Sequence, residues 1–113
     1  MNILIVDDET EIGIVLSLEL KFAGHESVHF DSTVDAQKYL LTNQKVDAII
    51  CDFQMPTMNG MEFFLWARKN SFKGPFYILT GEPTMDVKQL LALGITEVLF
   101  KPQDLNKLSQ LFK

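Results

Sequence analysis

The sequence predicts an α/β fold built on a parallel sheet, and three observations carry the prediction. Five short apolar runs alternate with five longer stretches of helical character. Each run gives way to an acid, a hydroxyl or a lysine. The central run, Ala48-Ile49-Ile50-Cys51, holds no polar residue and passes straight into Asp52. Alternating strands and helices give parallel strands joined by right-handed crossovers, with helices on both faces. A strand covered on both faces reads as an unbroken apolar run.

Taken in order, residues 2–7 form a β-branched strand that ends in acids. Residues 10–23 form a helix closed by Gly24, which can supply a left-handed cap. Residues 27–30 are a short second strand, and Asp31-Ser32-Thr33 offers N-cap chemistry for a helix through Leu41. Residues 46–51 are the third strand, running into Asp52. Asn59-Gly60 begins a helix through Lys69, and Gly74-Pro75 resets the chain. Residues 76–79 are the fourth strand, ending at Thr80-Gly81, and residues 85–93 a helix ending at Gly94. Residues 97–100 are the fifth strand, followed by Lys101-Pro102. Asp104 is expected to cap a last helix to Phe112.

The first helix has an unusually wide apolar belt. Ile12, Ile14, Val15, Leu16, Leu18, Leu20 and Phe22 cover more than half its circumference, whereas a helix on one side of a sheet needs a stripe of only ~100°. The expectation is a helix wedged between the sheet and the last helix, through Leu105, Leu108 and Leu111. The alternative is a surface for a partner or a homodimer.

Composition narrows the function. The chain of 113 residues suits one domain over residues 1–113. With 15 acids against 10 Lys and Arg, the net charge is −5, which argues against direct nucleic-acid contact because phosphates demand a basic patch. The single cysteine, Cys51, excludes an internal disulfide and suits a reducing compartment. The first apolar run is too short for a leader or a membrane span. A cytoplasmic acidic domain without membrane contact is the expectation. His25 and His29 are expected away from the functional edge, and Cys51 is expected to be buried packing.

Four features fall at the carboxyl ends of strands: Asp7-Asp8, Asp52, Thr80 and Lys101. In an open parallel sheet these ends share one edge, where ligands bind. Carboxylates gathered there repel; a like-charged pair at ~4 Å costs roughly 4 kcal/mol at an effective dielectric of 20. Lys101 offsets part of that repulsion, and a divalent cation would offset more. An all-oxygen set suits Mg²⁺, with Mn²⁺ or Ca²⁺ as substitutes, and does not suit zinc. A hydroxyl and an ammonium beside such a cation are the groups a phosphoryl oxygen needs.

Asp7-Asp8, Asp52 with Met55-Pro56 and Gly60, Thr80, and Lys101-Pro102 follow one another along the whole chain. In that order they resemble the receiver domain of two-component response regulators, of the chemotaxis-regulator kind. The resemblance implies a flavodoxin-like (βα)5 doubly wound sandwich with a parallel five-stranded sheet of order 2-1-3-4-5. It implies a phosphorelay role, in which Asp52 takes a phosphoryl group from a histidine kinase or histidine phosphotransfer protein in a Mg²⁺-dependent reaction, and an interaction surface switches in response. Asp8 and Asp52 would bind Mg²⁺ directly, Asp7 mainly through water, and Gln54 through its backbone carbonyl. Thr80 and Lys101 would engage the phosphoryl oxygens, with the Lys101-Pro102 bond cis. The domain would catalyse only its own phosphorylation and dephosphorylation. Its output partner or effector domain is unknown; the face after Thr80, with the fifth strand and helix, is where it would act.

Three departures from the family pattern stand out. Val98 stands where many receivers carry an aromatic residue, Gly81 follows Thr80, and Gln54 and Glu82 occupy positions that tune hydrolysis of the phosphoryl group. Val98 keeps a second expectation open, a degenerate receiver acting as a constitutive interaction module. A phosphatase of the haloacid-dehalogenase type would need a second aspartate at position 54, where Gln54 stands.

Overall fold

The computed structural model describes residues 1–42 and 45–112. Five strands, β1 (Asn2–Val6), β2 (Glu26–Phe30), β3 (Ala48–Asp52), β4 (Phe76–Thr80) and β5 (Glu97–Phe100), form one sheet of order β2-β1-β3-β4-β5. Every adjacent pair is parallel, so all carboxyl ends lie along one edge. This is the flavodoxin-like arrangement expected from the sequence. The helices are α1 (Thr10–Phe22), α2 (Thr33–Thr42), α3 (Gly60–Lys69), α4 (Val87–Ala92) and α5 (Leu108–Leu111), the last entered through a 3-10 turn at Leu105–Lys107.

Successive strand side chains point to opposite faces, and two cores result. Leu4, Val6, Ile49, Cys51 and Ile78 pack with Phe63, Phe64 and Ala67 of α3 and Leu90 of α4. Ile3, Ile5, Ile50 and Leu79 pack with Leu16 and Leu20 of α1 and Leu108 and Phe112. Both faces are covered, which is why β3 and β4 are buried along their whole length.

The helix ends follow local chemistry. Gly24 and Gly94 sit at φ +89° and +114°. Each gives the reversal that lets its own N–H and that of the next residue satisfy the last carbonyls of α1 and α4. Asn59 and Glu62 cap α3 reciprocally, Asn59 Oδ1 accepting from Glu62 N–H at 2.8 Å and Glu62 Oε1 from Asn59 N–H at 2.9 Å.

Three expectations need correction. The helix placed at residues 85–93 is shorter, because the chain is still turning at Pro83 and Thr84 and Asp86 provides the cap through Gln89 N–H. Asp104 does not cap the last helix. Its carboxylate reaches back to Phe100 N–H at 2.9 Å and pairs with Lys107 at 3.0 Å, and a 3-10 turn precedes α5 instead.

The third concerns α1. The last helix covers only the side of α1 that carries Leu16 and Leu20. Ile14, Val15, Leu18 and Phe22 form an outward stripe, exposed by 56, 43, 52 and 87%. The wedge accounts for half the apolar belt and leaves the other half facing solvent. His25, by contrast, lies away from the carboxyl edge as expected, its Nε2–H donating to the Phe112 carbonyl.

Candidate phosphoryl and metal site

β1 delivers Asp7 to the carboxyl edge. Its N–H extends the sheet by donating to the Phe30 carbonyl at 3.1 Å, and its side chain is fully buried. Asp7 Oδ1 accepts Glu9 N–H at 2.8 Å, which tightens the β1–α1 turn. Asp8 and Glu9 are exposed at the mouth. Asp52, the last residue of β3, is 5% exposed, and its Oδ1 accepts the Gln54 N–H at 3.3 Å. Gly60 packs against the Asp52 carbonyl so closely that an added Cβ would lie 2.9 Å from it.

Lys101 ties the strand ends together. Its Nζ lies 2.9 Å from Asp7 Oδ2, 2.9 Å from Glu9 Oε1 and 3.1 Å from Asp52 Oδ2, and its N–H donates to the Thr80 carbonyl at 2.8 Å. The Lys101-Pro102 bond is cis, as the resemblance implied.

The electrostatics are those of a crowded acidic pocket. Burial, reinforced by the charge of Asp7 and only partly opposed by Lys101, raises the Asp52 carboxyl above the ordinary aspartate value. Burial does the same to Asp7, against the pull of Lys101 and the Glu9 N–H. For Lys101 burial favours the neutral amine, but the close contacts with Asp7 and Glu9 and the charges of Asp7 and Asp52 outweigh it and hold the ammonium above the usual lysine value.

Oxygens of Asp7, Asp8, Glu9 and Asp52 all lie within 4.8 Å of one another. Asp7 Oδ2 is buried without a hydrogen-bond partner, its contact with Lys101 being one of charge. Four carboxylates against one ammonium, with an orphaned buried oxygen among them, fit a hard divalent cation.

The remaining predicted residues are placed unevenly. Thr80 is buried at the end of β4, but its hydroxyl accepts the Glu82 N–H at 2.9 Å. Among the described residues it has no hydrogen bond to Asp52. Glu82 is turned onto its own loop, its Oε1 taking the Thr84 hydroxyl at 2.7 Å, so its carboxylate is committed there rather than in the crevice. Gln54 is exposed beside Asp52 and touches it through its main-chain N–H. Val98 is buried in the α3–α4 core. Phe100 pairs in register with Thr80 and packs against that same core.

Two residues at the site were not foreseen. Glu9 is a third partner for Lys101, and the uninterrupted acid run Asp7-Asp8-Glu9 was its signal. His29, expected away from this edge, donates from Nε2 to the Asp7 carbonyl at 2.8 Å.

Comparison with known proteins agrees with this geometry. The model of the response regulator receiver domain matches residues 3–113. The Regulator of RpoS from Escherichia coli K12 is 34% identical over 112 residues, covering 97% of this chain and 33% of the relative. The chain thus spans about a third of that protein's length. A probable chemotaxis protein CheY from Rhizobium etli is 32% identical over 96% of this chain and 86% of the relative. Among solved structures, the response regulator TrrA from Thermotoga maritima, in complex with Mg²⁺-BeF, superposes with a TM-score of 0.83. It is 27% identical over 96% of this chain and 93% of that one. With its five-stranded order, its acidic pocket and this match over nearly its whole length, the chain belongs to the receiver domain family of two-component response regulators, in which phosphorylation on aspartate is general.

Proposed function

We propose that Asp52 is the phosphoryl acceptor of a domain spanning residues 1–113. It would take its phosphoryl group from the phosphohistidine of a histidine kinase or histidine phosphotransfer protein. The observation that carries this is the convergence on Asp52: a lysine ammonium at 3.1 Å, a second buried carboxylate sharing that lysine, and a cluster of oxygens suited to a cation. An Asp52 oxygen attacks phosphorus, the bond to the donor imidazole nitrogen breaks, and the imidazole leaves with a proton. The product is an acyl phosphate.

Asp7, Asp8, Asp52 and the Gln54 carbonyl would hold Mg²⁺, which when bound neutralises charge on the phosphoryl oxygens. Lys101 pairs with one phosphoryl oxygen. Thr80 donates its hydroxyl hydrogen to another, since the bond from Glu82 N–H uses only a lone pair of the hydroxyl oxygen. The chain acts on no substrate beyond its own phosphorylation and dephosphorylation. A reducing cytoplasm suits its single buried thiol at Cys51, and no described helix is long and apolar enough to cross a membrane.

The deciding experiment is incubation with a small acyl-phosphate donor and Mg²⁺, followed by intact mass. A gain of one phosphoryl group that disappears in Asp52→Asn and with chelator supports the assignment. No gain in a folded protein that binds Mg²⁺ leaves a constitutive interaction module in its place.

The donor's docking face is assigned to α1. The helix starts immediately after the acidic turn, and Ile14, Leu18 and Phe22 line its outward side. An amphipathic helix of a donor protein could lay its apolar face there. Leu18→Asp with Phe22→Asp is expected to slow transfer from a phosphohistidine protein by about tenfold or more, while phosphorylation by the small donor keeps its rate. Equal slowing of both would remove α1 from the docking role.

A further inference from the structure

We infer that His29 is a positioning residue for the acidic turn: its ring, seated on the bare backbone of Gly13, holds the Asp7 carbonyl and so sets the direction in which Asp7 and Asp8 meet a divalent cation. The metal half of this inference rests on the site assignment above; the bracing half does not.

Both main-chain polar groups of Asp7 are gripped by consecutive residues of β2. The Phe30 carbonyl takes its N–H at 3.1 Å, and His29 Nε2–H reaches its carbonyl at 2.8 Å. A carbonyl can only accept, so Nε2 carries the proton. That carbonyl belongs to the peptide joining Asp7 to Asp8. Holding its plane fixes where the Asp8 Cα stands and, through the Asp7 Oδ1 bond to Glu9 N–H, the shape of the whole turn.

His29 can do this only because of Gly13. A Cβ built at position 13 would fall 2.3 Å from both Nδ1 and Cε1 of the ring and 2.7 Å from Cγ. Gly13 lies inside α1, where glycine is unfavourable relative to alanine. Its φ is not in the left-handed region that would demand glycine. Space for the imidazole, rather than backbone freedom, accounts for it. Groups behind metal ligands commonly affect affinity strongly although they never touch the ion.

The test is calorimetric titration of Mg²⁺ into the metal-free protein and its variants, with melting temperatures alongside. His29→Leu is expected to weaken binding about tenfold. His29→Gln, whose amide can donate to the same carbonyl, is expected to stay within about twofold of wild type. Gly13→Ala should weaken binding as His29→Leu does, and adding it to His29→Leu should cost nothing further, since the ring it displaces is already gone.

A merely structural histidine would give Leu and Gln variants with similar losses of melting temperature and unchanged Mg²⁺ affinity. Should wild type itself bind no Mg²⁺, the site assignment fails first. Amide exchange of the metal-free protein then decides the brace. His29→Leu is expected to speed exchange at Glu9 N–H about fivefold or more, and unchanged exchange overturns it.

Discussion

Lys101→Met is expected to lower the melting temperature by roughly 12 °C at pH 7, a loss of about 3 kcal/mol. It is also expected to slow phosphorylation of Asp52 by a small acyl-phosphate donor about 10²- to 10³-fold. Both effects come from one nitrogen. Lys101 Nζ is the single described cation in contact with Asp7, Glu9 and Asp52, and it lies 2.9 Å from a buried Asp7 oxygen that no hydrogen bond satisfies. Removing it leaves a buried carboxylate pair with nothing to offset repulsion or desolvation.

The sign of the pH dependence follows from the raised ammonium. A lysine held above its unfolded value gives stability that is complete below about 10.4 and is lost only as pH climbs through the folded value. The comparison at pH 7 therefore captures the whole contribution. Thermal melts by circular dichroism, paired with intact-mass time courses, check both effects. A variant melting close to wild type would mean that the three ion pairs contribute little.

The second expectation has the opposite sign. Asp52→Asn should raise the melting temperature of the metal-free protein at pH 7 by about 4 °C, or about 1 kcal/mol. Asp52 is raised because burial and Asp7 outweigh Lys101, so its ionised form is a net cost to the fold. A carboxylate with a raised folded pKa binds protons more readily when folded. Stability from that group is therefore present at low pH and falls as pH rises from the unfolded value, about 4, through the folded one.

The advantage of Asp52→Asn should consequently shrink toward zero as pH is lowered to about 4. Comparing the two proteins cancels the contributions of Asp104, whose lowered carboxyl moves the other way. At pH 7, Mg²⁺ at about 100 times its dissociation constant should stabilise the wild type by about 2.7 kcal/mol, and Asp52→Asn far less. An asparagine variant no more stable than wild type at pH 7 would contradict the charge assignment.

The strands and the convergence of Asp7, Asp52, Thr80 and Lys101 were legible in the sequence because both depend on local pattern and on one topological rule. Unbroken apolar runs mark strands buried on two faces, and parallel connection puts their polar ends together. Element ends were less legible where side chains chose tertiary partners. Asp104 has the chemistry of a helix cap but satisfies Phe100 N–H instead. The apolar belt of α1 was legible in part: α5 packs on Leu16 and Leu20 as expected, but periodicity shows how wide a face is and not what covers the rest of it.

His29 was missed for a different reason. Its partner is a main-chain carbonyl on the neighbouring strand, and no spacing in the sequence marks that bond. The one available hint was Gly13, a glycine inside a strongly apolar helix, which asks what occupies the missing side chain's place.

The hydrogen bond from Glu82 N–H to the Thr80 hydroxyl occupies a lone pair and leaves the O–H free to donate. On the proposed site, a charge-assisted bond from that O–H to a phosphoryl oxygen would be worth about 1.5–3 kcal/mol. That converts to a change in population of roughly 10- to 160-fold, short of the ~10⁴-fold that a full reversal between two states needs. Contact at Thr80 alone would therefore tilt the loop as a rheostat does and not throw it from one state to the other. Any sharper response must draw its remaining free energy from what binds the outer surface.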